Sequence, residues 1–191
     1  MNLIGQKAKN AVINKIDSKT KNKVLQKYIS LIEKNKNSII RANKKDIKFA
    51  IKKKLKNNLI NRLSLNYTKL NSVKNAIKNI INLKDPIDNI LEKWKRPNGL
   101  IIKRVSIPIG VIGVIYESRP NVTSDVSSLC FKSGNAIILR GGSEAYNSNI
   151  TFANLFRDAL KTNNIDQNYV QIVKNKNRKS VDYLLSKMEK F

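Results

Sequence analysis

The chain has 191 residues, with 38 Lys and Arg against 13 Asp and Glu, so its formal net charge at pH 7 is +25. Its single Cys excludes an internal disulfide, and together with the absence of His it excludes a metal site built on several Cys or His and a Ser-His-Asp triad. The sequence predicts no membrane partner, because it contains no run of about 18 apolar residues. We expect a cytoplasmic protein, because the N-terminus lacks the apolar core of a signal peptide.

The charge raises the hypothesis of a nucleic-acid-binding protein. Residues 1–100 carry 25 basic and 6 acidic side chains, whereas residues 105–156 carry three of each. Lys outnumbers Arg by 30 to 8 and is spread around the predicted helices. A phosphate-binding surface usually concentrates these residues on one face. We therefore expect no specific nucleic-acid partner, and the alternative function is a basic remnant that binds nucleic acids or acidic surfaces without catalysis.

The first 84 residues have the periodicity of helices. Apolar side chains fall on one face of a helix in two segments, namely Val24, Leu25, Tyr28, Ile29 and Ile32, and then Leu70, Val73, Ile77, Ile80 and Ile81. The second stripe predicts a helix from about Asn66 to Leu83. The segment from Ser38 to Lys56 is also helical in texture, and Asn57-Asn58 predicts a break. We expect these stripes to pack on each other or on a sheet.

A β-hairpin is predicted after the helices. Asp85-Pro86 ends the helical region, since Pro disfavours the helical conformation of the residue before it. Two stretches of strand character, Ile90–Arg96 and Leu100–Ile107, flank Pro97-Asn98-Gly99. Asn-Gly supplies the positive φ angles of a tight hairpin turn, so the two stretches should pair as antiparallel strands.

From Pro108 onward the pattern alternates between strands and helices. Strands are predicted at Gly110–Ile115, Ala136–Leu139 and Tyr169–Val173; the first is a nearly all-apolar run without alternation, which predicts burial on both faces, and the second is also predicted to be buried. Helices are predicted at Val122–Lys132, where Ser133-Gly134 forms the C-terminal cap, Ser143–Lys161 and Ser180–Lys190. This β-α-β-α-β-α order predicts an α/β fold with a parallel, Rossmann-like sheet. The predicted domains are residues 1–107, a helical layer with the hairpin, and residues 108–191, an incomplete cofactor-binding domain.

Candidate site residues follow the first two of these strands, where ligands bind in open parallel sheets. They are Tyr116, Glu117, Ser118, Arg119, Pro120 and Asn121 after one strand, and Arg140, Gly141, Gly142, Ser143 and Glu144 after the next. Two glycines allow a close approach of the backbone to a ligand, Ser143 can cap the next helix, and Glu144 can accept ribose hydroxyls. A tight strand-to-helix turn explains the glycines equally well, and Asn121 could cap the helix that follows it.

The stretch Arg104–Asn121, continued by Leu129–Glu144, resembles gamma-glutamyl phosphate reductase, a glutamate-5-semialdehyde dehydrogenase of the aldehyde dehydrogenase superfamily. The pieces Tyr-Glu-Ser-Arg-Pro-Asn and Leu-Arg-Gly-Gly-Ser-Glu are specific to this family in combination. The similarity is weaker but colinear in Arg41-Ala-Asn-Lys-Lys-Asp46 and Asn61-Arg-Leu-Ser64. It covers the whole chain but only about the first half of the family's length, so the resemblance implies an aldehyde-dehydrogenase-like fold represented by its N-terminal half.

The resemblance implies the reduction of L-glutamyl 5-phosphate by NADPH to L-glutamate 5-semialdehyde, with release of phosphate, in proline biosynthesis. Asn121 would stabilise the oxyanion, Tyr116 to Pro120 would line the nicotinamide side, and Arg140 to Glu144 would meet the adenosine ribose, with Arg140 or Ser143 near the 2′-phosphate. The implied partners are the substrate, glutamate 5-kinase, and further copies in an oligomer of the full-length enzyme.

The family's nucleophile is a Cys that has no counterpart in this sequence. Cys130 lies at helical spacing beside Leu129 and Phe131, at a position that is not catalytic in the family. We interpret Cys130 as a small core residue. The chain is therefore predicted to be a fragment that is inactive by itself, and a split gene, a frameshift, a contig edge and a degenerate product all stay open as its origin.

Overall fold

A computed structural model describes residues 2–175, 177 and 179–187. The helices in these residues are α1 (Asn2–Ala11), α2 (Ser18–Lys34), α3 (Lys36–Lys52), α4 (Asn57–Leu63), α5 (Tyr67–Asn82), α6 (Pro120–Lys132), α7 (Tyr146–Thr162) and α8 (Lys179–Lys187). The strands are β1 (Ile90–Lys95), β2 (Ile101–Val105), β3 (Val111–Tyr116), β4 (Ala136–Gly141) and β5 (Val170–Ile172). Short 3₁₀ turns, Ser143–Ala145 and Gln167–Tyr169, precede α7 and β5.

The two predicted apolar stripes form the buried faces of α2 and α5. Buried positions on these helices include Val24, Tyr28 and Ile32 in α2, and Leu70 and Ile77 in α5. Both helices begin at a side-chain cap, because Asp17 accepts a hydrogen bond from the Thr20 amide and Asn66 accepts one from the Lys69 amide. The helices predicted from these stripes are therefore confirmed.

The break predicted at Asn57-Asn58 is wrong, because these residues begin α4. The chain turns a few residues earlier, where Lys54 has a φ of 53°. Backbone bonds from the Lys54 amide to the Ile51 carbonyl and from the Leu55 amide to the Ala50 carbonyl close the end of α3. The left-handed turn falls on a Lys, so the composition of this segment does not mark it.

Strands β1 and β2 pair antiparallel, as the sequence predicts, but through a different turn. The Gly99 amide bonds to the Arg96 carbonyl at 2.9 Å, and only Gly99 of the predicted Asn-Gly pair has a positive φ, at 87°. Pro97 lacks the N–H that a two-residue loop would need at its position, which favours this three-residue loop. At the base of the hairpin, the buried Lys21 ammonium lies 2.9 Å from a carboxylate oxygen of Asp85.

The remaining strands form a parallel sheet in the order β3-β4-β5. The central strand β4 is buried from Ala136 to Arg140, as its apolar sequence predicts. The prediction that the first strand is buried on both faces is wrong for β3, where Ile115 is 44% exposed. Among the described residues β3 pairs only with β4 and is an edge strand, so its apolar composition does not bury it here.

Helices α6 and α7 connect these strands and hold the centre of the core. Tyr28 of α2 contacts Phe156 of α7 with ring centroids 4.6 Å apart, and Phe131 of α6 contacts Phe156 at 5.7 Å and Tyr169 at 5.4 Å. These four side chains belong to one buried cluster that joins the helical layer to the sheet. The division of the chain at residues 107 and 108 stays a prediction.

The boundaries of the later elements shift by a few residues from their predicted positions. Helix α6 starts at Pro120 and ends, as predicted, at Ser133 and Gly134, whose φ is 72°. Helix α8 covers Lys179–Lys187, and the last residues predicted for it, 188–190, lie outside the described residues. No helix in the described part of the chain combines the length and apolar character needed to cross a membrane.

Candidate cofactor and oxyanion site

The loop after β3 leads directly into α6. Arg119 is the N-cap residue and Pro120 occupies the first turn, where a missing N–H costs no hydrogen bond. The Tyr116 hydroxyl lies 2.6 Å from Thr123 Oγ1, which in turn donates to Asn149 Oδ1 of α7 at 3.0 Å. Burial raises the pKa of Tyr116 to about 12, so the side chain stays protonated at neutral pH. This chain of bonds fixes the end of β3 against α6 and α7.

The loop after β4 packs tightly on the loop after β3, and the two glycines make this possible. A Cβ atom on Gly141 would lie 2.9 Å from the Tyr116 hydroxyl oxygen, and one on Gly142 would lie 2.6 Å from Ser118 Oγ. Neither glycine has a positive φ, so the requirement is for space rather than for backbone conformation. The glycines therefore serve close packing, of Gly141 on Tyr116 and on Asn149 of α7, and of Gly142 on Ser118.

Glu144 is held at the junction of these loops. Its two carboxylate oxygens accept hydrogen bonds from Ser118 Oγ at 2.8 Å and Ser143 Oγ at 2.9 Å. Partial burial raises the pKa of Glu144, but hydrogen bonds from its own backbone N–H and from both serines bring it below the usual value. The side chain is therefore an oriented carboxylate at neutral pH, with acceptor capacity left for hydroxyl groups.

The prediction that Ser143 caps the next helix is wrong, because the acceptor is Asp46 of α3. Asp46 is 1% exposed and accepts from the backbone amides of Asn147 at 3.0 Å and Ser148 at 2.8 Å. It also accepts from Asn147 Nδ2 at 2.7 Å and Ser148 Oγ at 2.6 Å. The anion at the start of α7 is thus a side chain of the protein itself, which uses the positive end of that helix.

Asn43, one turn before Asp46, holds a second part of the site. Its Nδ2 donates to the Leu63 carbonyl at 2.9 Å and to Ser148 Oγ at 3.1 Å, and its Oδ1 accepts from the Leu65 amide at 2.8 Å. These bonds fix the end of α4, which carries Arg62, against α7. No local sequence pattern marks a role for Asn43, Asp46 or Arg62, although all three lie in the pieces Arg41–Asp46 and Asn61–Ser64 that carry part of the resemblance.

Arg140 is largely buried, at 9% exposure, and its guanidinium donates to the Gly141 carbonyl. Glu117 and Arg119 are exposed, and Arg62 Nη1 lies 3.8 Å from a carboxylate oxygen of Glu117. The structure thus brings Glu117, Ser118, Arg119, Gly142 and Glu144 to one surface, whereas the Arg140 side chain is folded back on its own loop.

That surface borders a cavity of about 360 Å³ between α4 and the two loops, which we term the β-loop cavity. It is lined by Leu55, Leu59, Arg62, Leu63, Glu117, Ser118, Arg119, Gly142 and Glu144. One side of the cavity is therefore apolar, and the other combines two carboxylates, Glu117 and Glu144, with two guanidinium groups. Such a combination fits a flat heterocycle that carries hydroxyl and phosphate groups.

Asn121 lines a different cavity, also of about 360 Å³, between α5 and α6, which we term the α5–α6 cavity. Its lining comprises Arg62, Ser64, Leu65, Lys69, Ser72, Val73, Ala76, Asn121 and Asp125. Asn121 is not the cap of α6, since Arg119 has that position, and its Nδ2 donates to Asp125 Oδ2 at 3.2 Å. Arg62 borders both cavities, so the two lie next to each other.

Cys130, the sole cysteine of the sequence, lies near the other end of α6. It packs against the main hydrophobic cluster, and burial raises the pKa of its thiol to about 11. Nine residues of helix separate it from Asn121, a rise of about 13 Å. Cys130 is therefore a packing residue, as predicted. No cluster of three or more His, Cys, Asp or Glu that could bind a metal occurs among the described residues.

The chain matches none of the known protein-family models with which it was compared. A gamma-glutamyl phosphate reductase of Nitratiruptor sp. is 44% identical over 185 residues, which are 97% of this chain and 45% of that protein. The crystal structure of gamma-glutamyl phosphate reductase from Thermotoga maritima matches with a TM-score of 0.91 at 37% identity, over 94% of this chain and 44% of that one. A probable aldehyde dehydrogenase of Listeria monocytogenes shares the fold, with a TM-score of 0.66 at 13% identity over 96% of this chain and 38% of that chain.

The chain thus spans less than half the length of the relatives that it matches. Identity and fold agree over nearly all of its residues, and the mixed α/β architecture with a parallel sheet is the one predicted from the sequence. The chain therefore corresponds to the N-terminal half of an aldehyde-dehydrogenase-like protein, and over that half it is similar to gamma-glutamyl phosphate reductases.

Proposed function

We propose that the chain provides the cofactor-binding and oxyanion-stabilising part of an NADPH-dependent reductase that converts L-glutamyl 5-phosphate to L-glutamate 5-semialdehyde and phosphate in proline biosynthesis. The observation that carries this proposal is the position of Asn121. Its amide lines the α5–α6 cavity, while Glu117, Ser118 and Arg119, which precede it by two to four positions, line the adjacent β-loop cavity. A reductase needs this adjacency, because cofactor and substrate have to meet.

The β-loop cavity fits part of the cofactor, with its Gly142 and Glu144 side toward the adenosine ribose and its Glu117, Ser118 and Arg119 side toward the nicotinamide. Its leucines offer an apolar surface to a purine, and Gly142 lets the backbone approach closely. The Glu144 carboxylate can accept ribose hydroxyls, and Arg119 supplies positive charge for phosphate groups. When bound, NADPH supplies the hydride for the reduction. We keep Arg140 and Ser143 as candidates near the 2′-phosphate, and Tyr116 and Pro120 on the nicotinamide side.

Asn121 would act on the acyl group of the substrate. As the nucleophile adds to the acyl phosphate, negative charge develops on the carbonyl oxygen, and a preorganised amide N–H stabilises that charge. Asp125 accepts one hydrogen of the Asn121 amide, which orients the group and leaves its second hydrogen for the substrate oxygen. Phosphate then leaves with the electrons of the broken acyl–oxygen bond.

The nucleophile would have to come from a Cys-bearing polypeptide other than these residues. Cys130 is about 13 Å from Asn121 along the helix, and its raised pKa keeps it a thiol at neutral pH. We therefore propose that the 191 residues alone do not turn over substrate, and that a glutamate 5-kinase, whose reaction class generates the acyl phosphate, is the functional partner in the cytoplasm. Trp94 and Ile101, exposed at 42% and 53% on the hairpin, support an oligomeric full-length enzyme.

The test of the cofactor site is direct binding of NADPH to the purified chain, measured by calorimetry. We expect measurable NADPH binding that weakens about tenfold or more in Glu144→Ala, because a ribose hydroxyl of the bound cofactor would lose its charged acceptor. Asp158→Asn, an exposed carboxylate on α7, is the matched control and should bind like the parent. Failure of the parent chain to bind NADPH, or equal binding by Glu144→Ala, would refute the assignment.

A further inference from the structure

The α5–α6 cavity contains a carboxylate that the reductase chemistry does not use in full. Asp125 lies one helical turn after Asn121 and lines the same cavity. Its Oδ2 accepts from Asn121, but its Oδ1 is buried and has no hydrogen-bond partner among the described residues. A carboxylate with a single hydrogen-bond partner retains acceptor capacity, so a ligand in the cavity that Asp125 lines can supply a further donor.

The surroundings of Asp125 define the charge of that ligand. Burial raises the pKa of Asp125, although the Asn121 hydrogen bond acts in the opposite direction. Arg62 and Lys69 line the same cavity, and the Lys69 ammonium is held by the carbonyls of Asn61 at 3.0 Å and Ser64 at 2.6 Å. The cavity therefore presents a negative group and two positive groups, which fits a zwitterion rather than a simple anion.

We propose that Asp125 is a specificity residue that binds the α-ammonium group of the glutamyl substrate, while Arg62 and Lys69 face its α-carboxylate. This inference rests on the proposed function, since it places the acyl carbon at Asn121. Four bonds separate that carbon from the α-nitrogen, a reach of about 5 Å. Side chains one turn apart on a helix have Cβ atoms about 5–6 Å apart, so one extended substrate can contact Asn121 and Asp125 together.

The test compares two stable probes that differ only in the α-amino group. L-Glutamine has the amino-acid head and an uncharged γ-carbonyl group, and 4-carbamoylbutanoate is the same molecule without the amine. Calorimetry of the 191-residue chain should show L-glutamine binding about tenfold or more tightly than 4-carbamoylbutanoate, as a charge-assisted hydrogen bond predicts. Asp125→Asn should remove this preference, Asp125→Glu should keep most of it, and Asp158→Asn should leave it unchanged.

A second measurement needs no substitution. The ammonium group of L-glutamine should lower the pKa of Asp125, whereas 4-carbamoylbutanoate should not. Carbon-13 NMR of the Asp125 carboxyl group, recorded as a function of pH, measures this pKa. Equal binding of the two probes, binding of neither up to its solubility limit, or a preference that survives in folded Asp125→Asn would overturn the inference. NADPH binding, measured on the same samples, separates a failure of this inference from a failure of the proposed function. Normal NADPH affinity together with equal binding of the two probes would overturn the role of Asp125 but leave the proposed function intact.

Discussion

Asp46 is the residue whose removal should do most damage at a distance from the candidate site. It lies on α3, yet it accepts all four of its hydrogen bonds from Asn147 and Ser148 at the start of α7. The Ser143–Ala145 turn, which carries Glu144, immediately precedes that helix. Asp46→Ala should therefore both destabilise the fold and loosen the loop that we assign to the cofactor.

The magnitude follows from the groups that lose their acceptor. Two backbone N–H groups at the start of α7 would lie without a partner where Asp46 is 1% exposed. Each such group costs about 1–3 kcal/mol, and a lost helix cap alone costs about 1 kcal/mol. We expect Asp46→Ala to lower the free energy of unfolding by about 3–4 kcal/mol. Asp46→Asn, which keeps one acceptor oxygen but presents an NH₂ group to its partners, should lower it by about half as much.

Urea denaturation followed by circular dichroism at 222 nm measures this loss. Asp17→Ala is the matched control, because Asp17 caps α2 with the same kind of bond but at an exposed position. Asp46→Ala should shift the midpoint much further than Asp17→Ala and should also weaken NADPH binding. Equal shifts for the two variants would show that the buried carboxylate does not organise the start of α7, and would refute the reasoning.

Three further predictions concern the thiol, the paired loops and the net charge. Cys130 should react with iodoacetamide about a hundredfold more slowly in the folded than in the unfolded chain, because its pKa of about 11 in the folded chain lies above the usual 9.0. Equal reaction rates in the two states would contradict its burial. The stabilisation linked to this thiol should be complete below pH 9 and lost as pH rises through about 11. Gly142→Ala should weaken NADPH binding by displacing Ser118, and the double variant with Ser118→Gly should recover part of the loss, whereas no recovery would contradict the steric argument. Affinity for duplex DNA should be independent of sequence and fall steeply with salt, and sequence-specific binding at high salt would instead support the nucleic-acid alternative.

The predictable parts of this fold are those that local sequence determines. The stripes of α2 and α5 and the apolar run of β4 each report burial of one element, and the structure confirms them. The hairpin was predicted as well, although Pro97 changed its turn. These features depend on residues that are close in sequence, so a single chain read by itself contains the necessary information.

The candidate site was predicted only in part, because its supports come from distant segments. Asp46 replaces Ser143 as the cap of α7 through bonds that span about a hundred residues, and no local pattern indicates such a contact. The exposure of β3 depends on which strands pair with it, and its own composition cannot report that. The two cavities depend on the packing of α5 against α6 and of α4 against α3, which places Arg62 beside both.

We propose that this chain supplies the oxyanion-stabilising half of a gamma-glutamyl phosphate reductase. The most direct measurement mixes the chain with the remaining, C-terminal part of the Nitratiruptor relative and follows NADPH oxidation on freshly generated L-glutamyl 5-phosphate. We predict turnover that neither polypeptide shows alone and that falls by about 10²–10³ in Asn121→Ala. A complex that forms without turnover, or one that works equally well with Asn121→Ala, would contradict the account.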